Sequence, residues 1–254
     1  MKTQTTSLDA LATRAKIAVI VPATNTIVQP EMEAMRPVGV TNHVSRMLLP
    51  VRPYDDMQAY RQALETERGN LEEALNLVLP CEPHAVAHGH SIHSFRGDRA
   101  RAQAEQERLE KLAGIPFVTP SMAVLAGLAA IGDPKRIAVL TPYWPPADAL
   151  IHEFFVSCGY DVVASHGLKA KGPISVAQFS PEQIMGGFEA LNLQGVEAFV
   201  HVGTNLPVSA LTPQIEAAFG KPLIGVNVAT YWWALRRLGI HDPLTGFGLL
   251  AETY

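Results

Sequence analysis

Cysteine is scarce in this chain of 254 residues: Cys81 and Cys158 are its two thiols, and no CxxC spacing joins them. Such a pair offers no redox or zinc motif and is compatible with a reducing cytoplasm. An excess of positive charge is missing too. The formal net charge is −4 and the isoelectric point is about 6.1, so nucleic acid and anionic membranes are poor partners. No uninterrupted run of about 18 apolar residues occurs, which leaves no membrane span. The start, MKTQTTSLDALATRAK, has no contiguous apolar segment and no small-residue cleavage site, so no secretory signal is read there. Long Gly/Ser linkers and low-complexity tracts are likewise missing. A cytoplasmic protein is expected.

What is present is ordinary for a globular chain: 48% apolar and 17% charged residues, enough to bury a core in one domain or two small lobes. Short apolar runs alternate with helical patterns. Strands are expected at 16-KIAVIV-21, 43-HVSRMLL-49, 84-HAVAHG-89, 115-IPFVT-119, 136-RIAVLT-141, 160-YDVVAS-165, 197-EAFVHV-202 and 222-PLIGV-226. Amphipathic stretches at 57–79 and 100–114 lie between them. Continuous β-branched runs separated by helices indicate parallel sheet covered on both faces, hence an α/β fold.

An internal repeat sharpens this. The segment 16-KIAVIVPATN-25 aligns on 136-RIAVLTPYWP-145 at an offset of 120, 85-AVAHGHSI-92 on 198-AFVHVGTN-205 at 113, and 115-IPFVTPSMA-123 on 221-KPLIGVNVA-229 at 106. Three matches in order predict two pseudo-symmetric lobes, each with a roughly four-stranded parallel sheet flanked by helices. The expected division is 1–117 plus 230–254 against 118–229.

Ligands of open parallel sheets bind beyond the carboxyl ends of strands, so the active site is expected in the cleft between the lobes. The ends there carry Thr24, Asn25, His90, Ser91, Thr119, Ser121, Thr141, Tyr143, Gly203, Thr204, Asn205 and Asn227. These are hydroxyl and amide groups plus one histidine, with no Asp, Glu, Lys or Arg. Neutral donors and backbone N–H groups suit a small carboxylate or an oxyanion.

The segments 21-VPATNT-26, 119-TPSMAVLAGLAAIGDPKRIAVLTPY-143 and 202-VGTNLPVSALTPQIEAAFGKPLIGVN-227 resemble the aspartate/glutamate racemase superfamily, in the branch holding maleate cis-trans isomerase and arylmalonate decarboxylase. The resemblance spans roughly residues 15 to 240. It implies that Thr24 and Asn25 hold a substrate carboxylate, that Ser91 and Tyr143 donate to an oxyanion or second carboxylate, and that Asn205 and the backbone around Thr204 close the other side. It also implies a small carboxylate substrate, no metal or organic cofactor, and a homo-oligomer, dimer or larger. Members of the superfamily place a reactive cysteine at one or both lobe ends, where the repeat puts His90 and Gly203. This chain has a thiol at neither, so two-cysteine racemisation and thiolate addition are not expected.

Imidazole replaces a thiol as a proton carrier better than as a nucleophile, because it titrates at about 6.5. The leading expectation is therefore decarboxylation or isomerisation through an enediolate-like intermediate, with His90 as the proton-transfer group. A hydrolase in which His90 activates water on an amide or cyclic substrate is the alternative, and a non-catalytic small-acid-binding homologue is a third. A zinc site of His88, His90 and His93 with His201 is disfavoured by its spacing and by the lack of a nearby carboxylate. His88 and His201 match in the repeat and read as satisfied core groups, and His84 as a surface residue at a strand start. Arg96 is a possible carboxylate clamp ahead of a solvated helix face with Arg99 and Arg101. Trp144 is a possible pocket wall, whereas Tyr231, Trp232 and Trp233 read as packing or interface. The loop carrying Pro50, Pro53 and Tyr54 is a candidate cover for the cleft.

Overall fold

The computed structural model describes residues 8–49 and 57–254. Pro50, Pro53 and Tyr54 lie outside the described residues. The first sheet holds β1 (Ala15–Pro22), β2 (Val40–Met47), β3 (Ala85–His88) and β4 (Phe117–Val118) in the order β2-β1-β3-β4. The second holds β5 (Arg136–Thr141), β6 (Asp161–Gly167), β7 (Ala198–His201) and β8 (Leu223–Gly225) in the order β6-β5-β7-β8. All pairings are parallel. Every residue of β1 is buried, as its unbroken apolar run requires when both faces are covered.

The repeat is visible in the hydrogen-bond register. Ile17 pairs with Ala85 and Ile137 with Ala198; Val86 pairs with Phe117 and Phe199 with Leu223. Each second pair is the first displaced by the offsets read from the sequence. All eight expected strands form, with shifted bounds. β4 shortens to two residues because Pro116 has no N–H for the ladder and Pro120 opens the next helix.

The connecting helices are α1 (Val28–Ala34), α2 (Met57–Val78), α3 (Arg99–Ala113), α4 (Pro120–Ala130), α5 (Pro145–Ser157), α6 (Pro181–Glu189), α7 (Thr212–Phe219), α8 (Val226–Arg237) and α9 (Leu249–Thr253). The helices α4 and α8 lie against each other, and α8 also reaches β3, β4 and α1. They form the middle of one core that both sheets share: Ile17, Val19 and Ala87 on one side, Ile137, Val139 and Val200 on the other. Separate outer cores back each sheet, around Ile20, Leu75 and Phe117 and around Leu140, Phe188 and Phe199. Among the described residues no helix is long and apolar enough to cross a membrane.

The strand orders put a switch point between β1 and β3 and another between β5 and β7. There the neighbouring connections leave in opposite directions and open a crevice at the carboxyl edge.

Candidate active site

The segments after β1, β3, β5 and β7 meet at these switch points and are stitched together by hydrogen bonds between the halves. Ser91, fully buried after β3, lies 3.1 Å from the Tyr143 hydroxyl of the β5 end, and its Oγ accepts the Thr204 N–H at 3.2 Å. The amide of Asn25 reaches the Thr204 hydroxyl at 3.4 Å, and the Thr26 N–H donates to Asn205 Oδ1 at 2.9 Å. Asn227 opens α8 and donates to the Thr204 carbonyl at 2.9 Å. Ser91, Tyr143, Thr204, Asn205, Asn25 and Asn227, singled out from the sequence, are thus joined in one network. Thr24 stands beside it, half-buried.

Asn25 has a second task. Its Oδ1 accepts the Ile27 and Val28 N–H groups at 3.0 and 2.9 Å, which caps the start of α1. Gly203 has no room for a side chain. Its φ is +155°, and a Cβ built there would come within 2.4 Å of Pro142 Cδ. The turn carrying Tyr143 is held from outside the crevice: the Tyr143 N–H donates to the Thr141 hydroxyl at 3.0 Å, and that hydroxyl donates to Asp148. Gly167 permits the close approach, since a Cβ there would strike Asp148 and the Tyr143 carbonyl. Burial raises the Asp148 carboxyl above the usual range, against the opposing bond from Thr141.

Other expected site groups make different contacts. Thr119 gives both its N–H and its hydroxyl to Gln106 of α3, at 3.2 and 3.1 Å. Ser121 receives Ser94 Oγ as the acceptor of its N–H at 3.2 Å. Both line a cavity of about 20 Å³ with His88, His93, Ser94 and Arg101, roomy enough for one water, on the side of the first sheet facing α2 and α3. His90 is half-buried at the β3 end, its ring edge-on to His88 at 6.2 Å. Adjacent residues at a strand end face apart, and here Ser91 takes the side toward Thr204.

Among the described residues no group of three or more His, Cys, Asp or Glu could hold a metal ion. His201 is buried, and desolvation depresses its imidazole to about 3, so the ring is neutral at physiological pH; its bond to the Gly203 backbone opposes the shift. Its Nε2 has no hydrogen-bond partner among the described residues, so it is a core group that is only partly satisfied. His84 is not a plain surface residue: its Nδ1 accepts the Lys16 N–H at 3.1 Å. Trp144 donates its indole N–H to the Ala170 carbonyl, Tyr231 is buried with its hydroxyl on Asn42, and Trp232 donates to the Tyr254 carbonyl. Cys81 and Cys158 both sit just ahead of a strand start, at the edge opposite the crevice.

The sequence reading found no charged group at these strand ends. The structure brings three to their backs. Glu31 of α1 accepts the Ser209 N–H at 3.0 Å, the Ser209 hydroxyl at 2.6 Å and the Asn227 amide at 2.7 Å. Asp148 holds Thr141 as above, and Arg46 of β2 donates to the Asn25 carbonyl at 2.8 Å. Glu31 had one legible signal: it sits within the 28, 31, 32, 35 stripe that α1 buries, a position where a carboxylate needs a partner.

Three comparisons bear on this arrangement. Residues 56–251 match a family model described as arylmalonate decarboxylase. A maleate isomerase of Pseudomonas putida is 26% identical over 248 residues, covering 92% of this chain and 96% of that protein. An arylmalonate decarboxylase of Bordetella bronchiseptica is 27% identical over 156 residues, 59% of this chain and 63% of its own length. Among solved structures, a variant of Nocardia farcinica maleate cis-trans isomerase carrying a covalently bound succinylcysteine intermediate has a TM-score of 0.84 at 20% identity, over 94% of this chain and 99% of that one.

Proposed function

The chain belongs to the arylmalonate decarboxylase family, and on that premise we propose that it is a cofactor-independent lyase or isomerase acting on a small carboxylate at the Ser91–Tyr143–Thr204 convergence. The observation that carries the reading is that convergence itself: hydroxyl and amide donors from both halves meet at the paired switch points. The Ser91 and Tyr143 hydroxyls face each other, and Ser91 also accepts from Thr204. In this reading these hydroxyls, with neighbouring backbone N–H groups, meet an oxyanion. Donors fixed before the reaction lower its barrier most where the charge develops.

For decarboxylation, the bond between the α-carbon and one carboxyl group breaks and its electron pair stays on carbon as an enediolate. Carbon dioxide leaves. The carbon then takes a proton from the His90 imidazolium, and solvent restores that proton. For isomerisation, His90 takes the hydrogen from an sp3 α-carbon, the electron pair stays on carbon as the same kind of enediolate, and a proton returns to that carbon after it has turned. His90 is assigned this task as the imidazole that directly precedes Ser91 in the segment after β3; the two face apart at the strand end, so in this reading the His90 ring turns toward the crevice when substrate is bound. No thiol of this chain takes part, because Cys81 and Cys158 stand at the opposite edge of the sheets. That separates it from the succinylcysteine route of the Nocardia farcinica relative. Hydrolysis gains nothing from the relatives compared, which are isomerases and a decarboxylase.

Phenylmalonate and maleate, incubated with the protein in deuterium oxide and followed by NMR, test the proposal. The expected outcome with phenylmalonate is product bearing one solvent deuterium on carbon, with His90→Ala at least about a hundredfold slower, at the low end of a general acid's contribution. Full turnover by His90→Ala would remove His90 from the mechanism. Oxygen-18 from labelled water in the product of a cyclic or amide substrate would favour hydrolysis instead.

A further inference from the structure

We propose that Glu31 is a positioning residue that holds the Thr204 peptide in place through Asn227. The proposal rests on the reading of the Ser91–Tyr143–Thr204 convergence as the reaction centre. Glu31 lies on α1, in the first half of the chain, whereas its partners Ser209 and Asn227 lie 178 and 196 residues later. Its three bonds leave it an acceptor only. One amide group, Asn227 Nδ2, donates to both Glu31 Oε2 at 2.7 Å and the Thr204 carbonyl at 2.9 Å. Both neighbours are acceptors, so the carboxamide is fixed with its NH₂ toward them. Its Oδ1 is left buried with no partner among the described residues. That arrangement trades a satisfied oxygen for a fixed orientation, because turning the amide over would set oxygen against oxygen at Thr204.

The repeat gives the same device in another form. Asn227 aligns with Ser121, and Thr204 with Ser91. In the first half, Ser94 Oγ donates to the Ser91 carbonyl at 2.8 Å while accepting the Ser121 N–H. Both halves therefore pin the carbonyl of the equivalent residue at the crevice. Only the second does so through a side chain that a carboxylate from the opposite half must orient.

Glutamine is the discriminating substitution. With its nitrogen at the Oε1 place it faces the Ser209 N–H, donor against donor. With its nitrogen at the Oε2 place it faces the Asn227 NH₂. The relief available is for Asn227 to turn over, which satisfies glutamine and releases the Thr204 carbonyl. Thr204 then loses one of the bonds that hold its N–H on Ser91 and its hydroxyl near Asn25.

The test uses the full chain as wild type, Glu31→Gln, Asn227→Ala and the double variant, with phenylmalonate and maleate as probes and thermal melting to confirm folding. Each single variant is expected to lower kcat about tenfold or more with KM within about threefold, as misplacement of a reacting group does. The double variant should be no slower than the slower single one, because both act through the same peptide. Glu31→Gln within twofold of wild type, or a double variant showing the full product of the two losses, overturns the proposal. If the wild type turns over neither probe, the functional reading above fails, and hydrogen exchange at residues 203–206 decides for Glu31 alone. Faster exchange there in both single variants supports the proposal, and unchanged exchange overturns it.

Discussion

Replacing Gly203 by alanine adds one methyl group at the tightest point of the crevice. That carbon would lie 2.4 Å from Pro142 Cδ and 2.7 Å from Cγ. A flexible side chain would swing away, but these are ring atoms, and the Ala170 N–H holds the Pro142 carbonyl from the other side at 2.9 Å. Relief must come from backbone movement. Forcing a methyl into a filled site costs about 1–3 kcal/mol, and holding an L-residue at a positive φ adds about 1–2 kcal/mol. The sum, roughly 2–5 kcal/mol, lowers the melting temperature by roughly 5–20 °C for a chain of this size. Differential scanning calorimetry of Gly203→Ala against wild type measures it. Gly186→Ala is the control: it sits within α6 with nothing near its added carbon, and alanine is the better helix former there. A Gly203→Ala melting temperature within about 2 °C of wild type would refute the steric argument. The same argument covers Gly203→Cys, whose Cβ occupies the same place, so a thiol cannot be set there without moving the turn.

Ser91→Ala strips a fully buried hydroxyl from Thr204 N–H and Tyr143, at about 1–3 kcal/mol for each group left unsatisfied. Turnover should fall on the order of a hundredfold or more, as for the loss of an oxyanion donor, and unchanged kcat would exclude Ser91 from the centre. Iodoacetamide should label exposed Cys81 ahead of half-buried Cys158, whose thiol burial pushes up, and mass spectrometry should show this labelling with activity retained. Burial raises the Glu31 carboxyl above its usual range, only partly offset by the donors from Ser209, Asn227 and Val208. Lowering the pH therefore protonates Glu31 while ordinary carboxylates remain ionised, and kcat should decline there, a limb absent from Glu31→Gln. Stability runs the other way. A raised folded-state pKa contributes stability below the unfolded value that is lost as pH rises through the folded one, so acid should slow the enzyme before it loosens the protein.

Most of the architecture was legible because it is written in local patterns. Unbroken apolar runs announce buried parallel strands, and the offsets between 16–25 and 136–145 carry over into strand register without adjustment. The crevice groups were legible for the same reason: Ser91, Thr204 and Tyr143 each follow a strand end. Their supports were not. Glu31 meets Asn227 only after both halves have packed, and nothing near residue 31 announces a partner 196 residues away. Thr119 and Ser121 mark the limit of the repeat as a guide. They sit at matched strand ends, yet Thr119 is bonded to Gln106 of α3, and Ser121 reaches Ser91 only by way of Ser94.

The shared core between the sheets has a consequence for how the protein comes into being. The inner faces of both sheets and the helices α4 and α8 bury one another, and α8 from late in the chain covers strands from early in it. Each half alone would leave a whole apolar sheet face in water. The two halves thus relate as the subunits of an obligate dimer that one peptide linker has made unimolecular. A chain severed between α4 and β5 should regain its structure by a second-order association of fragments, at a rate set by their concentration, with neither fragment compact before it meets the other.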